Sequence, residues 1–275
     1  MLRKFEGLQP DQSDIRILFS KKTRTLQTQN SIMADQRILN EIEHGKFLAN
    51  NNAGEIWNWS TPAGKIRWKR RVEMLTGSLQ PGMKVLEIGC GTGFFTQEII
   101  KKKVQLTAID ISPDLLELAK SYISDPDLEF RLENAYQMTF ANQSFDAVVG
   151  SSVLHHLEVD QALKEFYRVL KPGGYIAFTE PNMLNPQIAM ERNIPAVKKA
   201  MGNSPDETAF FIWSIRKKLK NTGFTNIEVV PFDFLHPSIP KSLIPIMLPL
   251  TGIAEKIPLL KHISGSLFIK AFVKY

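Results

Sequence analysis

The 275-residue sequence contains one cysteine, Cys90. An internal disulfide is therefore excluded, and a lone thiol fits a reducing compartment. Long hydrophobic runs are missing as well, and nothing approaches the roughly 20 apolar residues of a membrane-spanning helix. The amino-terminal stretch has no compact apolar core, because Arg3, Lys4, Glu6 and Asp11 interrupt it, so no secretion signal and a cytoplasmic location are expected. No stripe of aromatic residues interleaved with basic ones occurs, which argues against nucleic acid as a partner. The five histidines are scattered without a carboxylate at ligand spacing, so no metal is expected. Repeats and low-complexity tracts are absent too. What remains is 43% hydrophobic and 23% charged, an ordinary soluble composition with length enough for one well-buried domain and additions.

The informative stretch is Val85-Leu86-Glu87-Ile88-Gly89-Cys90-Gly91-Thr92-Gly93. Val85, Leu86 and Ile88 read as a buried parallel strand, and alternate glycines then let the backbone bend and a ligand come close. Phe94 to Lys103 has helical composition. A strand end running into a helix start is where open α/β sheets bind cofactors. Dinucleotide enzymes carry G-x-G-x-x-G at this junction; here G-x-G-x-G is followed by Phe94 and Phe95. Glu87, two residues before the first glycine, would repel a pyrophosphate and suits a cationic ligand without phosphate. Cys90 reads as a small packing residue within the loop.

With this E-x-G-x-G-x-G pattern the chain resembles the class I S-adenosylmethionine (SAM)-dependent methyltransferases of the small-molecule, type 11 or UbiE-like kind. The segments that follow come in the family's order. Gln105 to Asp110 reads as a second strand ending in an acid, at a distance like the roughly 20-residue offset of ribose-binding acids. Ser112 before Pro113 is a helix cap. Leu128 to Glu133 is a third strand, followed by Asn134-Ala135 where the family usually has Asp-Ala on the adenine. Asn134 departs from the pattern, although its carbonyl can accept a hydrogen bond. Phe145 to Gly150 resembles the fourth strand, Val169 to Gly174 the following turn, and Tyr175 to Glu180 the fifth strand. The resemblance implies a Rossmann-like α/β fold with a seven-stranded, mostly parallel sheet whose last strand is antiparallel. It also implies SAM as cofactor, held by Glu87, Gly89, Cys90, Gly91, Gly93, Asp110, Ile111, Asn134, Ala135 and Ser151.

Outside this core the sequence changes character. Residues 1–80 form a helical cap, 81–182 the SAM-binding core, and 183–275 its carboxyl half with insertions at 183–208 and 232–265. The core carries a net charge of −5, the segments before and after it +5 and +6. Basic additions suit an anionic acceptor, an anionic membrane surface or plain solubility. Ser31 to Lys46 has helical spacing of apolar residues. Trp57, Trp59 and Trp68 cluster near Thr61-Pro62; they line the methyl-transfer chamber, with cation–π contact to a sulfonium, or form the cap's own small core. Thr208 to Thr222 reads as a helix stopped by Gly223, Asn226 to Pro231 as a sixth strand and Ser266 to Lys274 as the last. Between those strands Pro245 and Pro249 limit the apolar Leu243 to Ile263 stretch to short helices. That stretch covers the pocket, adds a core layer, or rests on a membrane or partner.

Methyl transfer aligns an acceptor, excludes water and, for a hydroxyl, removes a proton. Ser151-Ser152-Val153-Leu154-His155-His156-Leu157 follows the fourth strand and offers a histidine for that task. The resemblance to enzymes acting on sugars and natural products implies His155 as the base and Glu180 as its acid partner. Trp57, Trp59, His156 and Asn182 are candidates for the acceptor side. The acceptor is expected to be a small molecule, anionic or partly apolar. O-methylation of a sugar-like or natural-product hydroxyl leads. C-methylation of a lipid-like quinone precursor, N-methylation of an amine, and a SAM-binding subunit without catalysis are the rivals.

Overall fold

A computed structural model describes residues 36–51, 53–200, 204 and 206–275. Ile32 and the first half of the expected 31–46 helix lie outside them. Two compact units divide the chain, Met1–Leu39 and Asn40–Tyr275. The described residues of the first, 36–39, are helical, and all that follows concerns the second.

In chain order its helices are α1 (residues 40–50), α2 (Ala53–Ile56), α3 (Pro62–Thr76), α4 (Thr96–Ile99), α5 (Pro113–Tyr122), α6 (Val159–Val169), α7 (Pro186–Asn193), α8 (Pro195–Ala200), α9 (Ile212–Thr222) and α10 (Ile244–Ala254). The strands are β1 (Lys84–Ile88), β2 (Gln105–Asp110), β3 (Leu128–Leu132), β4 (Phe145–Ser151), β5 (Leu170–Pro181), β6 (Thr225–Phe232) and β7 (Ser266–Phe272). They form one seven-stranded sheet in the order β3-β2-β1-β4-β5-β7-β6. β7 runs antiparallel to both neighbours, and the remaining pairings are parallel. The expected Rossmann-like architecture and its antiparallel last strand are present.

Period-two alternation builds the two core layers. Leu86, Ile88, Val148, Ile176 and Phe178 enter the layer under α6 and α9. Val85, Ala147, Val149 and Ala177 face the other way, onto Leu75 and Leu79. Chain order reverses between β1 and β4, so the crevice beyond their carboxyl ends is the place for a ligand. Local signals set the flanking helices. The Thr61 hydroxyl accepts the Gly64 N–H ahead of Pro62, and the Ser112 hydroxyl accepts the Leu115 N–H ahead of Pro113. α1 lies across the start of α5, so close that a methyl group on Gly45 would stand 2.5 Å from the Ser112 side chain.

Four elements differ from expectation. β5 begins at Leu170 rather than Tyr175, because Leu170 already pairs with Phe145 of β4, so most of the expected Val169–Gly174 turn is strand. Only Thr96–Ile99 of the Phe94–Lys103 stretch is α-helical, tightening into a 3₁₀ turn over Ile100–Lys102. α9 begins at Ile212 rather than Thr208, because Phe210 is buried and bridges Asn182 beside the end of β5. Pro249 does not break the apolar stretch: α10 runs through it, with Pro245 in the first turn where no donor is needed. Among the described residues no helix is long and apolar enough to cross a membrane.

Candidate active site

The crevice has two ends. At the first, β1 turns sharply at Gly89, whose φ is +63°; a Cβ there would stand 2.4 Å from Val153 Cγ2, so no other residue fits. Cys90 N–H donates to Ile109 O (3.0 Å), fastening the loop to β2. Gly91 N–H and Ser112 N–H each donate to a different oxygen of Asp110, both at 2.9 Å. The nearest atom to a Cβ built on Gly91 would be Trp57 Cη2 at 3.6 Å, so the indole stands about one methyl group away from the loop. Trp57 also meets Phe94 edge to face at 6.0 Å. Thr92 Oγ1, in the same loop, is buried without a hydrogen-bond partner.

Glu87 lies beneath this loop and accepts the Thr96 hydroxyl at 2.7 Å. Burial pushes its carboxyl up to about 7, the Thr96 bond opposing and the Asp110 charge adding. Burial raises Asp110 too, against its amide bonds. Among the described residues neither carboxylate has a cationic partner. Among the described residues, two buried acids without a counter-ion and a buried hydroxyl without a partner fit a positively charged ligand. Ile111, half-buried, continues directly from Asp110. The Cys90 thiol packs against Ala108 and Leu116, and burial raises it well above the ordinary range, so only its backbone is available to a ligand. Ala135 is buried; Asn134 Oδ1, expected to be open to adenine, accepts the Tyr136 N–H at 2.9 Å in an Asx turn. Ser151 Oγ shares a hydrogen bond of 2.8 Å with Thr179.

At the second end the chain leaves β4 through a 3₁₀ turn over Leu154–His156. Glu180, on β5, organises that turn. Its Oε1 accepts the Val153 and Leu154 amides at 3.0 and 2.9 Å, and its Oε2 lies 2.7 Å from His155 Nδ1. Burial holds His155 well below the ordinary histidine range, the charge of His156 adding to the effect. Burial pushes Glu180 up to about 7 while the amides pull it down. When Glu180 is ionised, the neutral His155 holds its proton on Nδ1 in that bond and its Nε2 lone pair is free.

Residues without sequence motifs surround that nitrogen. Glu207 Oε2 stands 3.9 Å from His155 Nε2 and 2.7 Å from Arg192 Nη1. Burial raises Glu207, but His156, His155 and Arg192 outweigh it and keep the carboxylate ionised. His156 Nδ1 lies 2.9 Å from Glu41 of α1, and Glu41 also accepts the Ser204 hydroxyl at 2.6 Å. Burial disfavours a charged His156, and Glu41 reverses that. Sequence spacing puts no carboxylate at ligand distance from the histidines, but the tertiary fold brings Glu41 and Glu207 to them. His155, His156 and Glu207 bring candidate ligand atoms within 4.8 Å of one another, although the Arg192 guanidinium already forms an ion pair with Glu207. No local signal marks Glu41, Arg192 or Glu207; only the need of a buried histidine pair for partners does.

Two acceptor-side expectations are corrected. Asn182 is fully buried, donates to His262 O and Ser264 O and accepts the Leu184 N–H, so it binds backbone. Trp59 stacks on the protein's own cations, Arg71 at 5.4 Å and Arg67 at 6.0 Å, and meets Phe95 edge-on. Half-buried Trp59 is thus taken up by the protein's own side chains, whereas Trp57 packs on Leu48, Ala53 and Leu115 and also reaches the glycine loop.

Fold and crevice together define a Rossmann-like protein that binds a cationic nucleoside beside a histidine–carboxylate pair. Comparison with known proteins agrees. A methyltransferase-domain family model matches residues 86–178. Demethylmenaquinone methyltransferase of Paenarthrobacter aurescens (strain TC1) is 31% identical over 183 residues, 60% of this chain and 71% of the relative. The ubiquinone/menaquinone biosynthesis C-methyltransferase UbiE of Brucella suis biovar 1 (strain 1330) is 31% identical over 198 residues, 65% of this chain and 73% of the relative. A methyltransferase solved with the Haloferax volcanii Trm112 activator shares the fold, with TM-score 0.63 at 18% identity over 84% of this chain and 98% of that one. The chain belongs to the class I SAM-dependent methyltransferases, and SAM is its cofactor.

Proposed function

We propose that this chain methylates a small, partly apolar acceptor bearing an ionisable hydroxyl, a quinol-type ring above all, with His155 as general base. The observation that carries the reading is the 2.7 Å bond between His155 Nδ1 and Glu180 Oε2; His155 lies two residues beyond Val153, whose side chain closes on Gly89 of the cofactor loop. A neutral, buried imidazole with its other nitrogen oriented by a carboxylate is built to accept a proton. Bound SAM supplies an electrophilic methyl group, held by Glu87, Gly91 and Asp110.

His155 Nε2 takes the acceptor's hydroxyl proton, and Glu180 stabilises the imidazolium that forms. In a phenol or quinol the lost proton enriches both the oxygen and the adjacent ring carbon. Transfer to carbon gives a ring ketone whose methylated carbon still bears its proton; His155, once it has released the hydroxyl proton to solvent, removes that second proton and restores the aromatic ring. The relatives named for demethylmenaquinone and for C-methyl transfer support the carbon. The base itself supports O-methylation of a sugar-like or natural-product hydroxyl as the second reading.

The test is incubation with methyl-labelled SAM and either a short-chain demethylmenaquinol or hydroxylated sugars, the label then located by NMR. Label on the quinol ring carbon is expected. Label on oxygen selects the second reading. SAM binding without turnover on any acceptor would leave a non-catalytic subunit.

A further inference from the structure

The segment between β6 and β7 holds its apolar residues outward. α10 buries only Ile244 and Thr251, while Ile246, Leu250, Ile253, Ile257 and Leu259 are exposed, Leu259 to 86%. A helix apolar all round is ordinarily buried on all sides, and a concentration of this kind marks an interaction surface.

The charges of the segment are sorted by direction. Its two carboxylates face the protein: Asp233 accepts from Arg67 and Arg71, both at 2.8 Å, and Glu255 accepts from both terminal nitrogens of Arg70 at 2.6 and 2.5 Å. Lys241, Lys256 and Lys261 have no ion-pair partner among the described residues. Among the described residues, every uncompensated charge of the segment itself is therefore positive. A two-fold contact with a second copy would bring the lysines of both subunits together with no carboxylate to answer them. A bilayer surface supplies acyl chains for the leucines and isoleucines and phosphates for the lysines.

We infer that residues 241–263 dock this enzyme onto an anionic lipid surface, α10 lying in the headgroup layer. The dock is coupled to the crevice. Asn182, two residues beyond Glu180, donates to His262 O and Ser264 O, so the end of the segment is fastened beside the base. The inference deepens the reading of a partly apolar acceptor and rests on it for its purpose; docking itself needs no acceptor.

The experiment is co-sedimentation of the full chain with vesicles of phosphatidylcholine alone or containing phosphatidylglycerol, at low and high salt. Preference for the anionic vesicles, weakened by salt, is expected. Ile246→Ser with Leu250→Ser and Ile253→Ser should lower partitioning by roughly a hundredfold. Lys241→Glu with Lys256→Glu and Lys261→Glu should lose about fivefold per lysine and abolish the anionic preference. SAM affinity and turnover of a soluble acceptor report that each variant is folded, and they separate failure of docking from failure of the methylation reading. Partitioning into neither vesicle, or equal partitioning of wild type and the apolar variant, overturns the inference. A dimer that the apolar variant dissociates, without vesicle binding, replaces it by self-association.

Discussion

Glu87 and Asp110, at the ends of β1 and β2, are buried with no cationic partner among the described residues, whereas Glu180 and Glu207 across the crevice face His155, His156 and Arg192. Both pairs of acids have lost water, and only the second has been given partners. The first end thus stores an electrostatic deficit that a positive ligand removes. The second is neutralised internally and can move a proton without importing charge.

The sharpest way to break this comparison is at the internally neutralised end. His155→Ala should lower kcat by about 10²–10⁴ while SAM affinity stays within about twofold, as measured by steady-state kinetics beside calorimetry. A parallel loss of SAM binding would merge the two ends into one. In wild type, kcat/KM should fall as pH drops through about 7, where Glu180 takes up a proton and forces the proton of the still neutral His155 onto Nε2.

Glu87 tests the deficit directly. Its carboxyl is raised from 4.5 to about 7 in the folded protein, so between those values the native state binds more protons than the unfolded one. Stability of the ligand-free protein should therefore drop as pH rises through that window and stay lower above it. Glu87→Gln should recover up to about 3 kcal/mol at pH ~8 and weaken SAM binding, read by denaturant titration with and without SAM. Wild type near pH ~6 should release a proton on binding SAM, visible as a dependence of the binding heat on buffer ionisation. An unaltered stability profile would mean that Glu87 is already compensated.

A smaller effect is expected at Asp110. Asp110→Asn should weaken SAM binding by about 10–100-fold, the value of one or two charged hydrogen bonds, with kcat at saturating SAM nearly unchanged. The smallest concerns Cys90, whose thiol only fills space beside Ala108 and Leu116. Cys90→Ala should cost less than about 1.5 kcal/mol and leave turnover intact; a large loss of activity would bring the thiol back into the chemistry.

Legibility in the sequence followed distance along the chain. The Glu87–Gly93 turn, the Ser112 cap and the Gly223 stop were readable because each is decided within a few residues. The start of α9 was misplaced, since burial of Phe210 against the end of β5 overrode local helical composition. Asn182 looked like a pocket residue by its place after β5, and only the return of the chain at 262–264 showed what its amide binds. Trp59 and Trp57 were indistinguishable by spacing, two residues apart, until α3 brought Arg71 under one and the glycine loop came beside the other.

By itself the sequence determined the strand and turn pattern of the sheet, the glycine bend that admits a cofactor, and the acids that end β1, β2 and β5. Backbone sterics and side-chain periodicity act over a few residues, so these features need no distant neighbour. Tertiary structure alone decided which acids remain uncompensated and which meet histidine or arginine. The residues that set this balance, Glu41, Arg192 and Glu207, arrive from a capping helix and an insertion far apart in the chain. Coulombic energy in a dry crevice depends on separation in space, which no local pattern of residues encodes.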